Sequence, residues 1–313
     1  MVTVGEALEF ARASLREDSE HPARDAVLLV AHALDKPTSY PHLHPEDALP
    51  PGAAEALEEL VRRRKAGEPM AYIRGYQEFM GTRFLVDRRV LIPRPETEIL
   101  VEAAIDELRM AMRSTSSADH VGDVSSADST GSASGTGDHV FTIADICCGS
   151  GAIGLSLAKE LPGVDVILTD VSPDALEVAR KNVALLGVER QARFLEGDLV
   201  APLVDARLSD SLDLVTANPP YIAQEEMDLL PRDVRCFEPH LALDGGPGGL
   251  DFIKRLADEV PDVLKSGALF LMEIGHGQGP ACEEIFSRAP RWRDPSVLLD
   301  YAGRQRVLKV RRK

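Results

Sequence analysis

The chain has 313 residues, 44% hydrophobic and 27% charged, which is the composition of a folded globular protein with one large domain or two. A formal net charge of −16 repels phosphate backbones and argues against free nucleic acid as the substrate. The four cysteines lack Cys-x-x-Cys spacing, the apolar stretches are too short to span a bilayer, and the amino terminus has no secretory pattern; the sequence therefore predicts no metal, no disulfide framework, no membrane partner and a cytoplasmic location.

Helical patterns dominate the first 75 residues. Residues 3–6 have the form of a capping box, and the apolar spacing behind them predicts an amphipathic helix. A second helix is predicted from Pro22 and a third over residues 53–66. The basic run 62–65 either complements the dipole of this third helix, which we prefer, or forms a positive patch for a partner that carries RNA or an acidic surface. Because residues 1–75 contain no catalytic cluster, we predict a helical domain for substrate recognition.

The pattern then changes to that of a short hairpin. Residues 78–90 space apolar side chains around turn candidates, which predicts a β-hairpin within a linker of residues 76–94. Pro95 suits the first position of a helix that runs to about Met112. This stretch is either a plain linker that enters a helix or part of a site, since two prolines bracket Arg94 and would fix the direction of its guanidinium at the mouth of a cleft.

Residues 95–313 are predicted to form the second domain. From residue 140 onward strands and helices alternate, which predicts an α/β fold with a mostly parallel sheet and helices on both faces. Residues 113–139 are rich in Ser, Gly, Asp and Thr, which predicts a disordered insertion. Strands are predicted at residues 141–146, 164–169, 192–195, 212–217 and 268–274, with edge strands at 297–299 and 306–310, and helices at 151–161, 173–186 and 250–264.

A glycine-rich stretch follows the first of these strands. Asp145-Ile146-Cys147-Cys148-Gly149-Ser150-Gly151-Ala152-Ile153-Gly154 has Gly-x-Gly-x-x-Gly spacing, which lets the backbone approach a ligand closely. The next strand ends at Asp170, whose carboxylate can accept hydrogen bonds from both hydroxyls of a ribose. These two features fit a dinucleotide and an adenosyl cofactor equally. After the third strand, Asp198 could bind the exocyclic amine of adenine while Leu199 packs on its face; the alternative is an ordinary turn.

Asn218-Pro219-Pro220-Tyr221 follows the fourth strand and would face the same crevice. Alone, these residues are typical of a turn. Together with the upstream stretch they resemble a motif that acts on planar nitrogens, and the resemblance implies that the Asn218 side-chain carbonyl accepts one N–H and the Pro219 backbone carbonyl the other. The two prolines would stiffen the loop, and Tyr221 could pack against a flat amide.

These motifs resemble those of the class I S-adenosylmethionine-dependent methyltransferases whose Asn-Pro-Pro-Tyr motif acts on planar nitrogens. Arg94-Pro95-Glu96-Thr97-Glu98, combined with residues 218–221, is similar to the peptide-chain release factor glutamine methyltransferases, and the resemblance covers nearly the whole chain outside the polar insertion. Further matching segments are residues 75–79, Phe84, residues 90–93, Glu238-Pro239, Ala242-Leu243, Gly245-Gly246, Glu273-Ile274-Gly275 and Gly303-Arg304.

The resemblance implies a Rossmann-like methyltransferase domain, with a mostly parallel seven-stranded sheet whose last strand is antiparallel, behind a small helical bundle and a β-hairpin linker. It implies that a monomeric enzyme transfers a methyl group from S-adenosyl-L-methionine to the glutamine side-chain nitrogen in the Gly-Gly-Gln loop of a release factor. The implied cofactor-binding residues are Asp145, Cys147, Cys148, Gly149, Ser150, Gly151, Asp170, Asp198, Leu199 and Asn218. The implied catalytic residues are Asn218, Pro219, Pro220 and Tyr221, and Arg94 and Pro95 are implied to line the substrate entrance.

The sequence departs from the family pattern at two places. Cys147-Cys148 stands where the family usually has Gly-Thr or a similar small pair, which concerns the shape of the glycine loop. Gly248 replaces an acid often seen in a Gly-Gly-Pro-Asp-Gly segment. We interpret the adjacent cysteines as small packed residues rather than as a redox switch.

Three other functions are compatible with parts of the pattern. A nucleic-acid amino-methyltransferase could use the same residues 218–221 on adenine or guanine, but it would need a phosphate-binding surface that the net charge argues against. A ribosomal-protein glutamine methyltransferase differs mainly at residues 94–98. A non-catalytic adenosyl-binding regulator is disfavoured by the presence of Asp170 and Asn218.

Overall fold

The computed structural model describes residues 2–118 and 140–313, so most of the predicted insertion lies outside the described residues. Short helices occupy the first 74 residues: α1 (Val4–Ser14), α2 (Pro22–Ala33), α3 (Tyr40–Leu43), α4 (Ala53–Lys65) and α5 (Met70–Arg74). The predicted capping box is present, since the Thr3 hydroxyl accepts the Glu6 N–H and the Glu6 carboxylate accepts the Thr3 N–H. The helices pack around a core of their own that includes Leu15, Leu29 and Leu57.

The basic run at the end of α4 is occupied by ion pairs within this helical region. Each of its four cations lies within 4.0 Å of a carboxylate from α2, α4 or a neighbouring turn. The pairs are Arg62–Glu59, Arg63–Glu68, Arg64–Asp25 and Lys65–Asp18. These contacts favour the structural interpretation of the run over a free positive patch.

A hairpin and a long helix connect the helical region to the sheet. The hairpin consists of β1 (Tyr76–Phe79) and β2 (Thr82–Leu85), and α6 (Glu98–Ala118) follows. The predicted helix end near Met112 is wrong, because α6 continues into the first residues of the predicted insertion. Buried Asn182 joins the hairpin to the body: its Oδ1 accepts the Leu85 N–H at 2.6 Å, and its Nδ2 donates to the Leu85 carbonyl at 3.0 Å.

The sheet has seven strands in the described part of the chain, in the order β5-β4-β3-β6-β7-β9-β8. The strands β3–β9 span Phe141–Ile146, Val164–Asp170, Ala192–Glu196, Leu212–Ala217, Leu264–Glu273, Trp292–Leu299 and Gln305–Arg312. The helices α7–α12 span Ala152–Glu160, Pro173–Leu186, Ala201–Asp205, Arg232–Phe237, Asp251–Glu259 and Gly279–Arg288. Only β9 runs antiparallel to its neighbours β7 and β8, which confirms the predicted α/β architecture with an antiparallel last strand.

Three predicted boundaries in this region are wrong, two of them because of a proline; the third is the start of β7, which is predicted at residue 268 and lies at Leu264. The helix predicted over 250–264 ends at Glu259, and a 3-10 turn that contains Pro261 leads into β7 at Leu264. Proline removes a helical N–H, so the chain leaves the helix there. The edge strand predicted from residue 297 begins at Trp292, because an edge strand tolerates Pro295 where a register shift interrupts pairing.

Large apolar cores cover both faces of the sheet. One face packs against α6, α7 and α8, and the other against α11 and α12, where Phe270, Phe286 and Trp292 are in contact. With both faces covered, the carboxyl ends of the parallel strands are the open edge of the domain. Among the described helices, none has both the length and the apolar character required to cross a membrane.

Candidate active site

The carboxyl ends of β3, β4 and β6 meet at one cleft, which we call the glycine cleft. The cleft has about 990 Å³ of space between its atoms, part of it open to solvent. The predicted site residues that line it are Cys147, Cys148, Gly149, Ser150, Asp170, Asp198, Leu199, Asn218 and Pro220. Residues from four separate parts of the sequence are therefore brought to one place by the parallel sheet.

The glycine loop bends sharply between β3 and α7. Cys147, Gly149 and Gly151 have φ values of 58°, 54° and 81°, which lie in the left-handed region. At Gly149 a side chain would meet no other atom within 4 Å, so the absent Cβ leaves open space above the backbone of the cleft. A ligand can therefore approach this peptide closely. Cys147 has the same backbone conformation with a side chain, at a steric cost that glycine would avoid.

Asp145 lies behind the loop rather than in the cleft. It is fully buried, and its Oδ2 accepts the Gly154 N–H at 2.9 Å while its Oδ1 accepts the Thr216 hydroxyl at 2.9 Å. Burial raises the pKa of this carboxyl to about 7, although both hydrogen bonds act in the opposite direction. Asp145 thus ties the first turn of α7, directly after the glycine loop, to β6, and neither Asp145 nor Gly151 is among the residues that line the cleft.

Asp170 faces the cleft from the end of β4. Its Oδ2 accepts the Gly149 N–H and its Oδ1 accepts the Ser172 N–H, both at 2.9 Å. Burial raises its pKa despite these bonds. Two backbone donors leave further lone pairs on the two oxygens, so the carboxylate can also accept hydroxyl hydrogens from a ligand. A carboxylate placed here is able to accept hydrogen bonds from the two hydroxyls of a ribose.

The far end of the cleft combines an ion pair with an apolar wall. Arg255 from α11 donates to both oxygens of Asp198, at 3.2 and 2.8 Å. This bidentate pair orients Asp198 and leaves lone pairs for an amine. Leu199 and Phe252 supply the apolar surface beside it. The cleft thus combines open backbone at Gly149, a carboxylate at Asp170 and an apolar surface at Leu199 and Phe252. Together these features fit an adenosyl cofactor.

Asn218 stands between the glycine cleft and a second space, which we call the apolar cavity. The apolar cavity encloses about 640 Å³ and is lined by Leu91, Arg94, Asn218, Tyr221, Ile222, Leu230, Val234, Ala242 and Leu243. Leu91, Asn218 and Ala242 line both spaces. No hydrogen-bond partner for the Asn218 carboxamide occurs within residues 2–118 and 140–313, so it is available to a ligand.

Two residues that sequence reasoning missed brace the chain after Asn218. The Gln278 Nε2 donates to the carbonyls of Tyr221 and Gly249, at 2.9 and 3.2 Å, and its Oε1 accepts the Gly275 N–H at 2.8 Å. Gly249 packs so closely that an added Cβ would lie 2.2 Å from the Tyr221 carbonyl oxygen. Nothing in the local sequence pattern marks either contact, because both join segments far apart in the chain.

Arg94 lines the apolar cavity, and its guanidinium pairs with buried Glu238 at 2.5 Å. The other oxygen of Glu238 accepts the Ile92 N–H at 3.3 Å, and burial raises the Glu238 pKa although Arg94 opposes this effect. Glu238 was identified in the sequence only as part of a matching segment. Pro95 and Pro219 are not among the residues that line either space; Pro95 begins a 3-10 turn.

Comparison with known proteins gives consistent matches over most of the chain. Residues 6–75 match the family model "PrmC N-terminal domain", and residues 136–236 match "Methyltransferase small domain". The chain is 39% identical to the "Release factor glutamine methyltransferase" of Moorella thermoacetica, over 92% of this chain and 90% of that protein. It is 36% identical to the protein of that name from Vibrio cholerae, over 98% of this chain and 96% of that protein.

A solved structure with a similar fold is the hMettl16 catalytic domain in complex with MAT2A 3'UTR hairpin 1. Its TM-score is 0.50 at 16% sequence identity, and the alignment covers 85% of this chain and 82% of that one. At this identity the similarity concerns the fold alone.

Proposed function

The chain belongs to the release factor glutamine methyltransferase family, and we propose that it methylates the side-chain nitrogen of the glutamine in the Gly-Gly-Gln loop of a peptide chain release factor. S-adenosylmethionine is the cofactor and, when bound, supplies an electrophilic methyl group. The match extends over nearly the full length of relatives with this name, from the helical region to the last strand. A nucleic-acid amine and a ribosomal-protein glutamine are not favoured as substrates.

The position of Asn218 carries the proposal. It lines both the glycine cleft, which fits an adenosyl cofactor, and the apolar cavity, which can hold a side chain of the protein substrate. A methyl group has to pass between two such spaces, so the residue at their junction is the one able to hold the acceptor atom.

The main contribution of the protein to this reaction is to orient the glutamine side chain. An amide nitrogen is a weak nucleophile because its lone pair is delocalised into the carbonyl group. We assign the side-chain carbonyl of Asn218 as the acceptor for one N–H group of the glutamine, and we keep the backbone carbonyl of Pro219 as the predicted acceptor for the other, although Pro219 lines neither space. Pro220 stiffens the loop, and Tyr221 packs against the amide. Held in this way, the nitrogen presents its out-of-plane face to the glycine cleft.

For the cofactor, we assign direct contacts to Cys147, Cys148, Gly149, Ser150, Asp170, Asp198 and Leu199. We assign Asp145 and Gly151 to the support of the glycine loop, because they lie behind the surface that the cofactor would touch. Arg94 is assigned to the wall of the glutamine site, where its pairing with Glu238 holds it.

Recognition of the rest of the release factor is assigned to residues 1–75 and the adjoining hairpin. Lys36, Arg74 and Arg83 line a cavity there of about 710 Å³, part of it open to solvent, with Asp35 as its acidic member. His32 also lines it, and burial together with Arg74 lowers the pKa of His32. The guanidinium carbons of Arg74 and Arg83 lie 4.1 and 4.6 Å from the centre of the Tyr76 ring. This basic cavity contrasts with the net charge of −16 and suits an acidic protein surface. Arg74→Glu should raise KM for the release factor and leave kcat unchanged.

The decisive experiment measures the intact mass of a release factor after incubation with the enzyme and S-adenosylmethionine. The wild-type enzyme should add one methyl group, and a release factor with Asn in place of the Gly-Gly-Gln glutamine should receive none. Asn218→Ala should lower the rate by about 10³-fold, the scale of a lost oxyanion-type contact. An unmodified release factor with wild-type enzyme would refute the assignment, and equal rates with Asn218→Ala would refute the role of Asn218.

The proposal also includes the location and the oligomeric state of the enzyme. We place the enzyme in the cytoplasm, where its substrate is made and used, and we expect a monomer. Light scattering after size-exclusion chromatography should give a mass near 34.0 kDa.

A further inference from the structure

One buried carboxylate beside the active site has no role in the chemistry described above. Glu273 ends β7 and is 1% exposed. Its Oε1 accepts the Tyr221 hydroxyl at 3.0 Å, and its Oε2 accepts the Thr97 hydroxyl at 2.5 Å. The two donors are 52 and 176 residues away in the sequence, so this contact joins three distant segments.

A carboxylate in this place is energetically expensive. Burial raises the pKa of Glu273, and the two hydroxyls and nearby Arg306 only partly offset the loss of water. Arg306 itself leaves its Nε without a hydrogen-bond partner in the described part of the chain. If residue 273 only filled space, a neutral side chain there would make the folded protein more stable.

The carboxyl group has a geometric effect that an amide would lack. It has an oxygen facing each hydroxyl, and the Tyr221 hydroxyl donates to one and the Thr97 hydroxyl to the other, so the directions of both hydroxyls are determined. Glutamine offers one acceptor and one donor, so one of the two hydroxyls would have to turn around. Glu273 therefore sets the orientation of both partners at once.

Those partners belong to the walls of the two spaces that meet at Asn218. Thr97 lines the glycine cleft and lies close in sequence to Arg94, while Tyr221 lines the apolar cavity three residues after Asn218. We infer that Glu273 is a positioning residue, which holds residues 94–97 and the Asn-Pro-Pro-Tyr loop in the mutual arrangement that glutamine methylation requires. The inference rests on the proposed function.

A double-mutant cycle tests this role. Glu273→Gln should lower kcat for the release factor about 10- to 100-fold, and it should change KM and the Kd of S-adenosylmethionine less than threefold. Tyr221→Phe should lower kcat similarly. The double variant should be no slower than the slower single variant, because residues that act as one unit are not additive. Additive losses, or a Glu273→Gln enzyme as fast as wild type, would overturn the inference.

Two further variants separate positioning from general damage to the fold. Thr97→Ser keeps the hydroxyl and should retain near wild-type kcat, whereas Thr97→Val should resemble Glu273→Gln; equal kcat for the two would contradict the role of Glu273. Tyr301→Phe removes an exposed Tyr–Glu hydrogen bond, to Glu102, and is the matched control that should change nothing.

Comparing methylation of the release factor by the wild-type and Glu273→Gln enzymes also separates a failure of this inference from a failure of the proposed function. If the wild-type enzyme leaves the release factor unmethylated, the proposed function fails. If the wild-type enzyme is active and Glu273→Gln is equally active, Glu273 alone loses its role. Binding of S-adenosylmethionine and thermal unfolding of every variant verify that each protein is folded.

Discussion

Two buried carboxylates, Asp145 and Glu273, stand on opposite sides of the strand that delivers Asn218. Asp145 is the penultimate residue of β3 and Glu273 the last residue of β7, and β6 lies between those strands. Both are essentially inaccessible to solvent, both accept two hydrogen bonds, and burial raises the pKa of both. Each one supports a different wall of the site.

The difference lies in what they hold. Asp145 binds the backbone N–H of Gly154, nine residues farther along the chain, and the hydroxyl of Thr216 on the neighbouring strand. Glu273 binds two hydroxyls from distant segments. The cofactor wall, by which we mean the glycine loop and its support, is therefore held by one main-chain bond close in the sequence and one side-chain bond to β6. The substrate wall, the Asn-Pro-Pro-Tyr loop with residues 94–97, is joined through Glu273 by side-chain bonds alone.

Of the variants that test this comparison between the two walls, Gly249→Ala should have the largest effect, because it tests how tightly the substrate wall is packed. In Gly249→Ala the new Cβ would lie 2.2 Å from the Tyr221 carbonyl oxygen, so the Asn-Pro-Pro-Tyr loop has to shift. We expect kcat/KM for the release factor to fall about 100-fold, because a misplacement of 1 Å can cost that much. Gly248→Ala is the matched control: φ is 66° against 70° at Gly249, but nothing lies within 4 Å of the new methyl group. Equal losses in the two variants would show that backbone strain, not the contact with Tyr221, governs this wall.

A smaller effect should appear in the pH dependence of the cofactor wall. The pKa of Asp145 is about 7 in the folded protein and near 3.8 when unfolded, so its burial is least costly at low pH. Stability should fall as the pH rises from 4 through 7, by as much as about 4 kcal/mol, at 1.36 kcal/mol per pKa unit. Asp145→Asn keeps an acceptor for Gly154 and should remove this dependence.

Denaturant unfolding of both proteins at pH 5 and pH 8 measures the effect. Wild type should lose stability relative to Asp145→Asn at the higher pH. Parallel behaviour of the two proteins would mean that Asp145 keeps the same protonation state throughout.

A substitution at Arg255, near Asp198 in the glycine cleft, tests whether a side-chain ion pair also supports cofactor binding. Arg255→Ala frees Asp198 from its bidentate partner, and we expect the Kd of S-adenosylmethionine to rise about fivefold, since a half-exposed pair contributes about 1 kcal/mol. Calorimetric titration measures the change. Arg288→Ala, which breaks an exposed helical pair with Glu284, should leave the Kd unaltered. An unchanged Kd in Arg255→Ala would leave the main chain as the chief support of this wall.

The smallest effect concerns the strained cysteine of the glycine loop. Cys147 has φ = 58°, so Cys147→Gly should stabilise the protein by about 1 kcal/mol and raise Tm by about 2 °C. Cys148 is buried without a positive φ, and Cys148→Gly should destabilise. Thermal unfolding of the three proteins decides the matter; a lower Tm in Cys147→Gly would mean that the packing of the thiol outweighs the strain.

Sequence reasoning succeeded where chemistry and local pattern coincide. Gly149, Asp170 and Asn218 each follow a predicted strand, and parallel strands bring their carboxyl ends to one edge, so their convergence on the glycine cleft could be anticipated. It failed at residues whose partners lie elsewhere in the chain. Gln278 carries no motif of its own, and the substrate wall depends on its bonds to Tyr221 and Gly249.

The sequence by itself determined the order of elements, the glycine loop, the motif after β6 and the resemblance to a methyltransferase family, because each depends on residues that are close along the chain. Tertiary structure alone decided that Asp145 supports the loop from behind, that Arg94 is paired with Glu238, and that Glu273 joins Thr97 to Tyr221. The physical reason is that an isolated buried charge is unstable, and the partners that make it tolerable are chosen by the packing of the whole fold.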